Sequence, residues 1–496
     1  MTSQQSLPHR RTAVRPPYKV KFKSSLPLGG VRSSRVANYF NSQKIHKYWA
    51  SLIARYGPIV RLVNPGLAPI VGFTSAEDCE KLNRITMEQP VRMPLASLKY
   101  LRDNWTDDFF EKRGGILVEN GDEWWRVRSR VQTTLMKPMV VGEYVAEMDD
   151  VALTFVDRIQ ELQDKHGEMP ENFQEELYKW ALESVGVVAL DRRLGCLGAP
   201  EGSLKARQGE ELINVVNNLF ASMAVTEIKT QLWRLFPTPS YRRLRVNHYK
   251  LLDLVGQHVA ETVAFLGQGK DKSVAGRQNS VIQTLLSTPG LTQKDVLTFI
   301  MDIVFAGIDT TSHTMAFCLY LLARNPEAQK KLQKEVDEVT AGHQGPLTSK
   351  HLARLSYTKA IIKETFRIFP LTFGFARTLL RDVVLQGYWI PAGYNVFSLN
   401  ILLGWDASMF PRPEEFLPER WLRDRPMGDI HPYASIPFGA GPRMCVGRRV
   451  AEQEMYTLLT RVASRFTVEY HHEDLEQLSG LVLYPSRPLK FSFVPR

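Results

Sequence analysis

Cysteine is scarce in this chain of 496 residues. The four that occur, Cys79, Cys196, Cys318 and Cys445, include no CxxC pair. Neither a disulfide framework nor a cysteine-rich zinc site is signalled, and a reducing compartment fits. A single cysteine is more often a small buried hydrophobe than a ligand, so one must be promoted by its surroundings. No stretch approaches about 18 consecutive apolar residues, which predicts no membrane span. Acidic residues are missing from the first 76 positions, where twelve Arg and Lys occur and Glu77 is the first acid. The formal charge of +11 therefore sits in that segment, and residues 77–496 carry one more acid than base. A near-neutral body argues against a nucleic-acid partner, which needs a basic face on the folded domain. Also missing are an internal repeat and a G-x-G-x-x-G after a strand, so the chain is expected to bind no nicotinamide nucleotide itself. With 44% apolar and 23% charged residues, a disordered tail, a coiled coil and a disulfide miniprotein are excluded.

Residues 1–25 are rich in Ser and basic side chains and lack the apolar core of about 7–15 residues that marks a secretory signal. The composition is that of a mitochondrial transit segment; a basic disordered tail shares it. Residues 26–496 read as one domain. Apolar residues recur at helical spacing in 145–163, 210–226, 247–266, 294–324, 326–339, 357–369 and 446–464. Short strand-like runs lie at Ile59–Leu62, Ala68–Val71, Val383–Leu385, Asn395–Leu399, Phe466–Tyr470 and Leu489–Phe493. Polar Gly-bearing loops at 192–209, 267–280 and 341–349 are too short to be domain linkers. The pattern predicts a mainly α fold with a small β region. Six prolines between 405 and 440 forbid a long helix there, and six aromatics in the same stretch predict that it is packed.

That stretch leads into Phe438-Gly439-Ala440-Gly441-Pro442-Arg443-Met444-Cys445-Val446-Gly447, which opens an amphipathic helix. A cysteine at a helix N-terminus faces unpaired backbone N–H groups that stabilise thiolate. The glycines permit close approach to a flat object, and Arg443 offers a fixed cation to a carboxylate. A thiolate, a close-approach loop and a carboxylate clamp suit haem; alone, the segment also reads as a Gly-rich helix start with a buried cysteine. A second segment, Ala306-Gly307-Ile308-Asp309-Thr310-Thr311, lies within the longest helical pattern. A Gly in a helix interior costs about 1 kcal/mol relative to Ala, and Thr310 can bond back to the Ala306 carbonyl. Both features predict a groove beside a hydroxyl and a carboxylate.

The cysteine segment meets every fixed position of FxxGxRxCxG, and in this the chain resembles the cytochrome P450 family of haem-thiolate monooxygenases. Further motifs follow in the family's order, so the resemblance covers residues 40–496. It implies a single haem-binding domain of the P450 fold, with haem as cofactor and Cys445 as the axial metal ligand. It implies that Phe438, Arg443 and Gly447 in the loop, Ala306, Trp124 and Arg128 (a WxxxR pair) and Arg377 bind the cofactor. Thr310 and Asp309 would be catalytic, delivering protons for oxygen activation. Glu364 and Arg367, with Arg420 of Pro418-Glu419-Arg420-Trp421, resemble the family's Glu-Arg-Arg network, which is structural.

Lys359 and Lys363 precede Glu364, and Arg448 and Arg449 follow Cys445. At about 100° per residue the two lysines share a face about 90° from Glu364 and Arg367, so they can point to solvent. A solvated face accounts for any two lysines. Beside the other motifs the four cations resemble the mitochondrial class, which implies docking of an acidic [2Fe–2S] ferredoxin, itself reduced from NADPH through a flavin reductase. Residues 232–245 mix aromatic and basic side chains around Pro237 and Pro239, which suits shallow contact with an anionic membrane or an ordinary helix connection. The expected location is mitochondrial, peripheral on the inner membrane. Leu371, Phe373, Phe375, Leu481, Val482 and the 92–118 region resemble substrate-facing segments and are largely apolar. A small apolar substrate is implied, a steroid-like or ecdysteroid-like lipid or a xenobiotic. The text around 176–196 is most like arthropod members. A non-catalytic haem-thiolate carrier needs neither protons nor electrons, and an isomerase or dehydratase of the same family needs no ferredoxin face.

Overall fold

The computed structural model describes residues 41–496 apart from 42, 64–67, 94, 229–230, 268–279 and 344. The basic leader at 1–25, the domain start at 26 and most of the loop at 267–280 lie outside the described residues. Among those residues every one of the seven helices expected from apolar periodicity is present. Two begin earlier than the periodicity does. The helix expected from 210 starts at Leu204 and the one expected from 247 starts at Pro239. Their first turns are polar or Arg-rich, so an apolar stripe cannot reveal them, and the loop expected at 192–209 is correspondingly shorter. Pro239 occupies the first helical position, where its missing N–H costs nothing. The helix Phe173–Ala189, with thirteen of its residues buried, gave no clear stripe because it is apolar on nearly every side.

The helix Gln293–Arg324 runs through the centre, 32 residues long. Thr292 caps it: its hydroxyl accepts the Asp295 N–H while the Asp295 carboxylate accepts the Thr292 N–H at 2.8 Å. Almost all of its residues from Val296 to Leu322 are buried, so it needs packing partners around its whole circumference. Phe173–Ala189 is one of them. A Cβ added at Gly307 would lie 3.0 Å from Val185 Cγ2, so Gly307 permits the close crossing of these two helices. Gly307 also keeps accessible surface of its own.

The β region is small, as expected. Among the described residues six strands precede the cysteine loop: β1 (Ile59–Leu62), β2 (Ile70–Phe73), β3 (Phe375–Thr378), β4 (Val383–Leu385), β5 (Tyr388–Ile390) and β6 (Asn395–Ser398). Four of them form one sheet in the order β1-β2-β6-β3, in which β2 and β6 are parallel and the other pairs antiparallel. After it come β7 (Phe466–Glu469), β8 (Gln477–Ser479), β9 (Leu483–Pro485) and β10 (Ser492–Pro495). The run expected at 489–493 pairs three residues later, as β10 against β7.

The Pro-rich stretch is irregular and packed, with Phe410 and Phe416 buried, although Trp405 stays 45% exposed. It is held by a wholly buried ion cluster. Glu364 receives Arg367 Nη2 at 2.8 Å and Arg420 Nε at 3.0 Å, and Trp421 Nε1 at 2.7 Å. The two guanidinium groups spend their remaining N–H groups on the carbonyls of Gly404, Pro411, Arg412, Pro413 and Glu415. The cluster therefore fixes the backbone that delivers the cysteine loop.

Candidate functional site

Gly439 and Gly441 take φ of +70° and +71°, a region that L side chains rarely adopt. Their turns fold the loop back so that the Cys445 N–H donates to the Phe438 carbonyl at 2.8 Å. The following helix starts at Arg448 with Gly447 as its N-cap, and the N–H groups of Gly447 and Arg448 reach the Cys445 sulfur. Those donors pull the thiol pKa down, as the sequence predicts, but burial outweighs them and the net shift is upward. A metal cation at the sulfur reverses that balance. Cys79, Cys196 and Cys318 are buried, whereas Cys445 keeps accessible surface. Gly447, with φ of −82°, is not required by its own backbone. A Cβ there would meet nothing closer than the Cys445 sulfur at 3.9 Å.

Four guanidinium groups converge near the loop. Arg128 (3% exposed) and Arg377 (4%) are buried, and Arg92 and Arg443 are half-buried. Burial pushes the Arg128 and Arg377 pKa values down to about 10 and that of Arg443 to about 8, with Arg92 depressing all three further. None of the four is in an ion pair among the described residues. Arg443 donates to the Pro90 and Glu119 carbonyls and to Asn120 Oδ1, and its Nη1 has no partner. Arg377 donates to the Ala376 and Ala440 carbonyls, and its Nε has none. Trp124 is buried with its ring 4.1 Å from the Arg443 guanidinium, while Trp125 is 48% exposed, as the WxxxR spacing requires. Arg92 was not singled out in the sequence; it belongs to no short motif and arrives from a loop. The cluster is one to which an anionic group would be complementary.

On the central helix, Ile303, Ala306, Gly307 and Thr310 keep accessible surface amid buried neighbours. Their i, i+3, i+4, i+7 spacing puts them on one stripe. Thr310 donates its hydroxyl to the Ala306 carbonyl at 2.8 Å, as expected. Asp309 is buried, its Oδ1 has no partner, and burial pushes its pKa up to about 7. Thr311 donates to Glu454 Oε1 at 2.9 Å, and burial holds that carboxyl well above its ordinary range. The 92–118 region is less apolar than expected. Inside it Arg102 pairs with Asp302 at 2.6 Å with both side chains buried, and its Nε donates to His248 Nε2 at 3.1 Å.

Of the four cations expected on one face, Lys363 and Arg449 are exposed and Lys359 and Arg448 half-buried. Lys359 departs from the expectation: it donates to the Ala353 carbonyl at 3.0 Å, and burial lowers its pKa. Arg448 and Arg449 both share Glu452, at 2.8 and 3.4 Å. Tyr456 lies 6.0 Å from Lys359 and within the field of Glu452, Arg448 and Arg449, while Lys363 lies 6.0 Å from the Trp421 ring. In the 232–245 segment Leu232, Leu235, Phe236 and Val246 beyond it are exposed among Arg234, Arg242, Arg243 and Arg245. Trp233, Tyr241 and Leu244 turn inward instead. No helix of the described residues is long and apolar enough to cross a membrane.

An accessible thiol under helix N–H groups, beside four arginines in no ion pair among the described residues, is an arrangement that suits a haem-thiolate protein. The family model described as Cytochrome P450 matches residues 29–493. The chain is 34% identical to probable cytochrome P450 49a1 of Drosophila melanogaster, over 100% of this chain and 86% of the relative. It is 35% identical to the same fly's probable cytochrome P450 12a5, mitochondrial, over 95% of this chain and 88% of the relative. With probable cytochrome P450 301a1, mitochondrial, also from that fly, the identity is 32% over 92% and 82%. The chain belongs to the cytochrome P450 family. It is a haem-dependent monooxygenase.

Proposed function

We propose that the haem propionates are held by Arg92, Arg128, Arg377 and Arg443 with Trp124, and that Cys445 is the metal ligand. The observation that carries this reading is the convergence near the cysteine loop of four guanidinium groups, none of them in an ion pair among the described residues. Phe438 and Gly447 border the cofactor on the cysteine side and Ala306 on the central-helix side. Bound haem supplies the redox chemistry of monooxygenation, in which RH, O2, two electrons and two protons give ROH and water. The chain's own part is to hold the ligand, the protons and the substrate. Thr310 offers a hydroxyl on the accessible stripe. Asp309, with a pKa raised to about 7 by burial, can both take up and release a proton near neutral pH.

Electrons arrive from a [2Fe–2S] ferredoxin that docks on Lys359, Lys363, Arg448 and Arg449. The names of two relatives carry the word mitochondrial, which supports a mitochondrial setting with residues 1–25 as leader and 26–496 as catalytic domain. The exposed Leu235 and Phe236, ringed by arginines, support peripheral contact with the inner membrane and entry of an apolar substrate, steroid-like or xenobiotic, from it. The test of the haem reading is Cys445→Ser. The reduced, carbon monoxide-bound difference spectrum should lose its thiolate-specific Soret band, because a neutral hydroxyl is a poor iron ligand. Survival of that band removes Cys445 as ligand.

A further inference from the structure

Two polar atoms one turn apart on the central helix have no hydrogen-bond partner among the described residues: Asp309 Oδ1 and His313 Nδ1. Both residues are more than nine-tenths buried, at 4% and 6% exposure. At i and i+4 their Cβ atoms are about 5–6 Å apart on one face. Native folds leave few buried polar atoms unpaired, and each asks for a reason.

The far side of the imidazole is already fixed. His313 Nε2 lies 3.0 Å from the Tyr178 hydroxyl, which comes from the Phe173–Ala189 helix. The two rings meet edge to face at 5.7 Å, and the Tyr484 ring of β9 lies 6.2 Å from the imidazole. Burial pushes His313 down to about 3, and burial followed by the charges of Asp309 and Glu175 pushes Tyr178 up. The imidazole is therefore neutral and the phenol protonated, so the phenol donates and Nε2 accepts. A neutral imidazole that accepts at Nε2 carries its proton on Nδ1. His313 thus presents an Nδ1–H donor one turn from a carboxyl whose own Oδ1 is unpartnered. The titratable groups facing this cluster are Tyr178 and Glu175 from the Phe173–Ala189 helix and Tyr484 from β9. Glu454 of the Arg448–Arg465 helix is turned to Thr311.

We propose that Tyr178 and His313 are positioning residues for Asp309: Tyr178 locks the His313 tautomer with its proton on Nδ1, and rotation of the Asp309 side chain, unpartnered at Oδ1 as it stands, lets its ionised carboxylate accept that N–H and be held beside Thr310. The proposal rests on the reading that Asp309 handles protons for the reaction. No bond is made or broken in this step; the donor favours the ionised carboxylate and opposes the effect of burial.

The experiment follows the infrared carboxyl band of protonated Asp309 with pH in the full-length holoprotein, the band being assigned by its loss in Asp309→Asn. In His313→Leu the ionisation should move upward by about one pH unit, and the alkaline limb of product formed per NADPH should move with it. His313→Gln keeps an amide donor and should return most of the shift. Tyr178→Phe removes one oxygen atom, frees the tautomer and should give an intermediate shift; it carries the test if His313→Leu loses haem or melts early. An Asp309 band that titrates as in the parent in both His313→Leu and Tyr178→Phe overturns the proposal. Failure of the underlying reading looks different: Asp309→Asn would then leave product per NADPH unchanged, whatever the infrared titration does.

Discussion

Glu364→Gln is the sharpest test of how the Pro-rich stretch is held. Five donors converge on this carboxylate: Arg367 Nε and Nη2, Arg420 Nε, Trp421 Nε1 and the Leu417 N–H, all at 2.7–3.0 Å. The side chains of Glu364 and Arg367 are 0% exposed and that of Arg420 is 1%. An amide of the same shape keeps one acceptor and turns an NH2 toward the guanidinium donors. Two buried cations then lose their counter-charge, a change that costs about 3–5 kcal/mol out of a typical total of about 5–15 kcal/mol. An unfolding entropy of about 2 cal/mol/K per residue makes 1 kcal/mol worth about 1 °C in a chain of 496 residues. The melting temperature should fall by about 3–5 °C. Because the same cluster holds the carbonyls before the cysteine loop, haem per protein should fall as well. Thermal unfolding followed by tryptophan fluorescence, with haem content by absorbance, measures both. Glu327→Gln, in an exposed pair with Lys330, serves as the control and should change neither. A Glu364→Gln protein that melts within about 1 °C of the parent and keeps full haem would refute the argument.

Thr310→Ala removes a hydroxyl bonded at 2.8 Å to Ala306 and little volume; substrate-induced spectral shifts should persist while product per NADPH falls, and unchanged coupling would leave Thr310 a structural role only. Lys363→Glu reverses an exposed charge and should slow reduction by ferredoxin at low salt. The deficit should shrink as the Debye length falls from about 30 Å at 0.01 M to about 10 Å at 0.1 M, and equal low-salt stopped-flow rates would remove this face from docking. Lys359→Glu should also cost stability, since Lys359 is half-buried on the Ala353 carbonyl. For pH, the Asp309 pKa is raised from 3.8 to about 7, so its contribution to stability is full below 3.8 and is lost as pH rises through 7. The His313 pKa is lowered from 6.5 to about 3, so its contribution is present above 6.5 and is lost as pH falls through 3. Melting temperatures should therefore lose their neutral-side decline in Asp309→Asn and part of their acid-side decline in His313→Leu; profiles parallel to the parent would contradict both assignments.

The cysteine loop, the Thr310 segment and the Glu364 cluster were legible because their chemistry sits within a few consecutive residues or joins two such stretches. Helices with one apolar face were legible for the same local reason. What stayed hidden depends on pairs far apart in sequence. Arg92 gains meaning only beside Arg128, Arg377 and Arg443, and His313 only beside Tyr178. Gly307 keeps accessible surface, as the expected groove requires, while Val185 packs close to it, a fact that the composition of one helix cannot contain. The net upward shift of the Cys445 thiol was likewise out of reach, since helix N–H donors are visible in the sequence and the surrounding mass of protein is not.

The four unpaired arginines also bear on how much of this enzyme a cell keeps. Arg92 lowers the pKa of Arg128, Arg377 and Arg443, and Arg128 and Arg377 lower that of Arg443, so the chain without its dianionic cofactor folds against its own positive charge. A ligand that binds the folded state alone, present at about a thousand times its dissociation constant, adds about 4 kcal/mol of stability. That is comparable to the whole margin by which many proteins stay folded. Cofactor supply then acts as a checkpoint on survival of the newly made chain: molecules that capture haem persist, and those that do not are exposed to proteolysis. Abundance of the enzyme would follow haem availability with no change in the rate of its synthesis.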